Sequence, residues 1–254
     1  MFEHLDTKTI FIGKNTQFLA TCHSTNDFAM QMIQKQYVFD GTVIITNNQT
    51  KGRGQRGNDW EAEAGQNLTL SIILQPKFLN IPEQFNLNIA ISLGVINFLA
   101  LYIDEGLSIK WPNDLYFKNQ KIGGILIENT VQGQFINYSI IGIGLNINQL
   151  YFKNERATSI RKINQQPFLY DLQEMYVALI QKIESYYLKL KQNQFIFLKD
   201  EYLQKLYLIN QEHRFERNEQ DFVGKIIGVN EKGKLSVEID GDIVDFNLKE
   251  ITYL

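Results

Sequence analysis

The chain has 254 residues, 44% hydrophobic and 21% charged, which allows one large domain, or a large and a small one, around a substantial core. Lys+Arg 25 against Asp+Glu 28 leaves a net charge of −3 with no run of cations, so nucleic acid is not an expected partner. The single cysteine, Cys22, excludes an intramolecular disulfide and suits a reducing cytoplasm; no stretch is long and apolar enough to predict a membrane span, and three scattered histidines offer no N/S metal site.

Met1-Phe2-Glu3-His4 lacks the cationic, apolar pattern of a signal peptide. Ser24-Thr25-Asn26-Asp27 precedes a helical run from Phe28 to Tyr37, with Ser24 as candidate N-cap. A strand follows over Thr42–Thr46, then a glycine-rich loop, then an apolar strand over Leu68–Leu74. Pro82-Glu83 opens a helix that carries Phe85, Ile89, Leu93 and Ile96 on one face to about Tyr102. Short turns at Pro112-Asn113-Asp114, Lys118-Asn119-Gln120 and Gln132-Gly133 then separate strands that read as an antiparallel meander ending near Asn148. Two helices are expected over Phe168–Lys191 and Phe195–Tyr207. The character of the sequence changes near Glu212, and from Phe222 onward it reads as short strands, Val223–Val229, Leu235–Ile239 and Val244–Leu248, with an Asp240-Gly241 hairpin cue, which suits a small β-barrel. The reading is an α+β domain over residues 1–212, with helices packed on a mixed, mainly antiparallel sheet, and a small domain over 213–254.

The loop Lys51-Gly52-Arg53-Gly54-Gln55-Arg56-Gly57, followed by Trp60, is the most informative stretch. Glycine lets backbone approach a ligand closely, and arginine presents a fork suited to carboxylate or phosphate. Gly52-x-Gly54-x-x-Gly57 matches the dinucleotide fingerprint as text, but polar residues Thr46–Thr50 separate it from the preceding strand and a strand, not a helix, follows. No Gly-Lys-Ser/Thr completes a phosphate loop.

Two further loops, Lys110-Trp111-Pro112-Asn113-Asp114 and Lys121-Ile122-Gly123-Gly124, carry partners for the same kind of ligand. Arg53 and Lys121 suit a carboxylate or phosphate, and Ser24, Thr25, Asn26 and Gln49 suit an uncharged polar ring. Trp60 offers a stacking face, Gly123-Gly124 close backbone approach, and Asp114 one carboxylate for Mg²⁺. Each has a plainer reading: Ser24 as a helix cap, Asn113-Asp114 as turn formers, Trp60 and Trp111 as core, Glu128 as a structural or solvated carboxylate.

In order and spacing these motifs, together with Lys121-x-Gly123-Gly124-Ile125-Leu126-Ile127-Glu128 and Gly142-x-Gly144-x-Asn146, resemble the biotin–protein ligases. The tail Gly241…Phe246…Lys249-Glu250-Ile251 resembles that family's SH3-like C-terminal domain. The resemblance implies a class II synthetase-like fold and an activity that makes biotinyl-5′-AMP from biotin and MgATP. Biotin is then transferred to one lysine of a biotin carboxyl carrier protein of acetyl-CoA carboxylase or a related carboxylase. It further implies that Ser24, Thr25, Asn26 and Gln49 read the ureido ring. Arg53, Gly54 and Gln55 would cover the biotin carboxylate, with Lys121, Gly123 and Gly124 beside it. Arg53, Arg56, Trp60, Asn113 and Asn146 would surround the nucleotide. Lys121, Arg53, Lys110 and Asp114 would serve catalysis, Asp114 near the Mg²⁺ or the incoming lysine.

The family often reads Arg-Gly-Arg where this chain has Arg53-Gly54-Gln55, which predicts looser retention of the adenylate. About twenty residues before Ser24 are too few for the DNA-binding domain that some members carry, so the short form is expected. A meander strand could pair two subunits into a homodimer. Two alternatives stay open: a lipoate or octanoate ligase, and a non-catalytic biotin sensor.

Overall fold

The computed structural model describes residue 2 and residues 5–35, 37–55 and 59–254. Strand β1 (Thr16–Cys22) leads to helix α1 (Thr25–Lys35), then to β2 (Thr42–Gln49) and β3 (Leu68–Leu74). A short 3₁₀ turn, Ile81–Glu83, opens α2 (Gln84–Leu99). The meander follows as β4 (Leu107–Lys110), β5 (Asp114–Phe117), β6 (Gln120–Gln132) and β7 (Phe135–Leu145). Helices α3 (Ile160–Ile163), α4 (Leu172–Lys191) and α5 (Phe195–Gln204) complete this part. The seven strands form one sheet in the order β1-β2-β3-β7-β6-β5-β4, in which β1 and β2 are parallel and the other neighbours antiparallel.

Period-two alternation decides what each face holds. In β3, Leu68, Leu70, Ile72 and Leu74 join the main core with residues of α2 and α4, while Ile73 joins a smaller cluster with Ala29 of α1. Thr69 and Ser71 share the α1 side with Ile73. In β7, Ile141, Ile143 and Leu145 face the main core, which leaves Gly142 and Gly144 on the α1 side. That side therefore carries small and polar residues where the other is continuous hydrocarbon. Helices α2 and α4 approach closely at Gly94, where a Cβ would lie 2.8 Å from Ile183 Cα.

After α5, strands β8 (Glu212–Arg217), β9 (Gln220–Val229), β10 (Leu235–Ile239), β11 (Asp242–Phe246) and β12 (Thr252–Tyr253) form an antiparallel sheet in the order β11-β10-β9-β8-β12. Asp240 and Gly241 both take positive φ, the backbone that a two-residue hairpin turn requires. Among the described residues β11 and β12 do not pair, so the expected barrel is an open five-stranded sheet. It docks on the large sheet: Trp111 Nε1 donates to Gly233 O at 2.9 Å, and a Cβ on Gly233 would run into Phe85.

Most elements lie where the sequence predicts them, with shifted ends. Helix α1 begins at Thr25, as a cap at Ser24 demands, and not at Phe28. Strand β2 runs on to Gln49, which brings that amide to the site. The helix expected from Phe168 starts at Leu172, capped by Asp171, whose carboxylate accepts from Gln173 N. Strands β1, β8 and β12 and helix α3 were not expected. Among the described residues no helix is long and apolar enough to cross a membrane.

Candidate active site

A cavity of about 230 Å³ opens on the α1 side of the sheet, walled by the start of α1, the end of β2, the loop around Arg53, and strands β6 and β7. A larger one, about 860 Å³, adjoins it and shares Gln49, Arg53, Asp59, Trp60 and Lys121 with it. The two meet at a cation and an indole.

The inner end of the small cavity is polar and uncharged. Ser24, Thr25 and Asn26 are all buried because the helix starts against the sheet. Ser24 accepts from the Phe28 backbone at 3.1 Å through its carbonyl, and its hydroxyl accepts from Asp27 N at 3.4 Å, so it serves as cap and cavity wall together. Gln49 Oε1 accepts from Thr25 N at 2.9 Å. Asn26 Nδ2 donates to Glu128 at 2.7 Å, and its carbonyl is 2.6 Å from the Ser71 hydroxyl. A Cβ on Gly142 would run into Asn26, so glycine there is what admits the amide.

Arg53 closes one side. Its guanidinium lies 2.6 Å from Asp27 and 3.2 Å from Glu128, linking the glycine loop to α1 and β6. Gly54 and Gln55 line the cavity beside it. Arg56 and Gly57 lie outside the described residues.

Opposite, Lys121 Nζ is 2.7 Å from Asp114 Oδ1 and 5.8 Å from the Trp60 ring centre. The two charges come from adjacent strands, where Asp114 pairs with Gly124. Gly124 lines the cavity, whereas Gly123 does not: a Cβ there would lie 2.6 Å from Leu145, so its role is sheet packing, not ligand approach. The Trp60 indole packs against Gly144, where any Cβ would collide with it. The Trp60 Nε1 hydrogen and the Asn146 Oδ1 lone pairs are buried with no partner among the described residues. Such groups are costly unless something satisfies them. Asn146 lines the larger cavity and donates to Thr158 O at 2.9 Å. Asn113 lines the smaller one, but its amide donates to Ile125 O, so it also buttresses β6.

Lys110 is placed differently from the sequence reading. It lines neither cavity; its ammonium lies 4.3 Å from the Tyr253 ring centre, 5.0 Å from Tyr116 and 5.9 Å from Tyr207. Burial holds its pKa below that of an ordinary lysine, with the Asp114 charge opposing that shift. The same burial raises the Tyr116 phenol to about 12. Tyr207 and Tyr253 are remote in sequence, so this cage had no local signal.

Sequence reasoning missed four contributors. Leu248 and Lys249 reach the small cavity from the C-terminal sheet. Asp27 and Ser71 bind the functional side chains from behind; Ser71 was hidden inside an apolar strand pattern. Among the described residues no group of three or more His, Cys, Asp or Glu is placed to hold a metal ion.

The fold and site define a protein with a small polar pocket opening into a larger one at a lysine–aspartate pair, capped by a glycine loop. The family model described as "Biotin/lipoate A/B protein ligase family" matches residues 18–146, and the chain belongs to that family. Bifunctional ligase/repressor BirA of Bacillus subtilis is 30% identical over 144 residues, which is 56% of this chain and 43% of that protein. The chain thus matches less than half the length of the Bacillus relatives. The biotin–[acetyl-CoA-carboxylase] ligase of Mycobacterium tuberculosis is 26% identical over 241 residues, covering 93% of this chain and 88% of that protein. The structure of the Aquifex aeolicus biotin protein ligase in complex with biotin and ATP superposes with a TM-score of 0.78 at 28% identity, covering 94% of this chain and 98% of that one.

Proposed function

We propose that the chain is an ATP-dependent biotin–protein ligase that forms biotinyl-5′-AMP and passes biotin to a lysine of a carboxylase carrier domain. The observation that carries this reading is the meeting of the two cavities at Lys121 and Trp60. A ring held by Ser24, Thr25, Asn26 and Gln49 would direct its acid chain toward Lys121. A nucleotide in the larger cavity would find the Trp60 face and the unpartnered Asn146 oxygen.

The biotin carboxylate attacks the α-phosphorus of ATP and pyrophosphate leaves. Negative charge on the phosphoryl oxygens would be stabilised by Lys121 and Arg53, with the loop around Gly54 lining the site. In the second step the acceptor lysine, once deprotonated, attacks the acyl carbon and AMP leaves. Asp114 stands beside Lys121, where it can take part in placing the amine or its proton. Mg²⁺ accompanying ATP draws most of its ligands from phosphate and water, so the single carboxylate of Asp114 fits as its protein ligand. When bound, the ion neutralises phosphate charge. Gly123 and Lys110 support the site from outside it. The division into a catalytic part, 1–212, and a small part, 213–254, belongs to the same proposal, with Leu248 and Lys249 bringing the small part into the site.

Biotin-dependent exchange of labelled pyrophosphate into ATP tests the reading. Exchange with biotin and none with lipoate is expected. Exchange with lipoate alone would reassign the chain to lipoate ligation, and exchange with neither acid would leave a binding protein.

A further inference from the structure

We propose that Ser71 and Glu128, neither of which reads the ligand itself, set the hydrogen-bond polarity of the ring-reading end of the cavity and so its preference for a cyclic urea. The inference rests on the proposed function and adds the residues that fix its ring specificity.

A carboxylate only accepts, so Glu128 obliges Asn26 to present its amide nitrogen, 2.7 Å away. The second Asn26 hydrogen faces Leu126 O at 3.4 Å. Asn26 therefore turns its carbonyl to Ser71, and this contact of 2.6 Å needs the one hydrogen that the Ser71 hydroxyl has. The 2.7 Å contact between Ser71 and Thr25 must then take its hydrogen from Thr25. At 3.3 Å the alternative Thr25 hydroxyl bond to Gln49 is longer and gives way. A single direction runs through the chain: Thr25 donates to Ser71, Ser71 to Asn26, and Asn26 to Glu128, which Arg53 also holds.

Consequences follow for what the cavity offers. Thr25 and Asn26 keep oxygen lone pairs and have no hydrogen left to give. Gln49 uses its oxygen on Thr25 N, so its amide group remains a donor. Two acceptors beside a donor complement a carbonyl flanked by N–H groups, which is a cyclic urea. A dithiolane or a plain acyl chain makes none of these bonds. Ser71 is fully buried and lines neither cavity, so its effect is transmitted through its neighbours. Gly142 keeps Asn26 against the sheet, where the chain can form.

The test measures equilibrium binding of biotin, desthiobiotin and ATP to the wild-type chain, Ser71→Ala and Glu128→Gln, with unfolding midpoints alongside. Glu128→Gln is isosteric and lets Asn26 turn round, which reverses the chain. Both variants are expected to stay folded, and Ser71→Ala, whose hydrogen bonds reach Thr25 and Asn26 but not Arg53, is expected to bind ATP as the wild type does. Their dissociation constants for biotin and for desthiobiotin, which keeps the urea and lacks the sulfur, should rise together by about tenfold or more. Binding of biotin within about twofold of wild type in both variants, or an equal loss of ATP and biotin affinity in Ser71→Ala, would overturn the proposal. A wild-type chain that binds ATP but no biotin would instead overturn the function on which it rests.

Discussion

Lys121 and Asp114 form an ion pair of 2.7 Å at the junction of the two cavities, each about one-third exposed. An exposed pair of this kind adds little to stability. Its significance is positional: the ammonium that would stabilise an anionic ligand is held in place by the carboxylate expected to meet the metal or the amine. An arriving carboxylate or phosphate competes with Asp114 for the same charge, and Mg²⁺ would relieve that competition.

Among the described residues of the glycine loop, one cation is fixed by ion pairs. Arg53 is held by Asp27 and Glu128, and Gln55 stands at the cavity where a second arginine is common. Introducing Gln55→Arg adds a charge beside the adenylate phosphate. The expected outcome is slower release of biotinyl-5′-AMP, by several-fold, in a trapping experiment with the wild type as reference. Equal release rates would show that the loop cation does not set retention.

Glu184 ties the N-terminal segment to α4. Its buried carboxylate accepts from the backbone of Ile10, Phe11 and Ile12 at 2.6, 2.8 and 2.9 Å. Removing it leaves three N–H groups without their partner. We expect Glu184→Ala to lower unfolding free energy by roughly 3 kcal/mol in denaturant titration, with little change in biotin affinity, since the site is walled by other elements. A loss below about 1 kcal/mol would mean that water replaces the carboxylate without penalty.

Lys110 gives a pH dependence with a definite sign. Its folded-state pKa is lowered by burial from the ordinary 10.5. Between those values the unfolded chain holds more protons at this site than the folded one, so folding stability rises with pH there. The contribution is full above the unfolded value and is lost as pH falls through the folded one. Lys110→Met removes it. Denaturant titrations as pH rises toward 10.5 should show the wild type gaining stability relative to Lys110→Met. A difference that stays flat would mean the tyrosine cage fully offsets the burial.

What the sequence made legible was local. The apolar strand Leu68–Leu74 and the Asp240-Gly241 hairpin each carry their signal within a few residues, and each appears in the fold, whereas Lys121–Gly124, read as a loop, lies inside strand β6. The residues drawn into the site follow the same rule: Ser24, Thr25 and Asn26 sit at a helix start, and Gln49 at a strand end. What stayed hidden depends on contacts across the chain. Strand β1 is half-exposed at the sheet edge, so no apolar alternation announced it. Ser71 reads as an ordinary strand position until β3 is seen opposite α1. The cage of Tyr207 and Tyr253 around Lys110 joins residues far apart in sequence. Glu128, read as structural or solvated, proves to be structural in a specific sense, since it fixes both Asn26 and Arg53.

The most direct test of the central claim is mass spectrometry of a carboxylase carrier domain incubated with the chain, biotin, ATP and Mg²⁺, alongside Lys121→Ala. The account predicts a biotin-sized gain on one lysine of the carrier, slowed by about 10²–10³ in the variant. No gain on the carrier with the wild type, or equal rates from the two proteins, would contradict it.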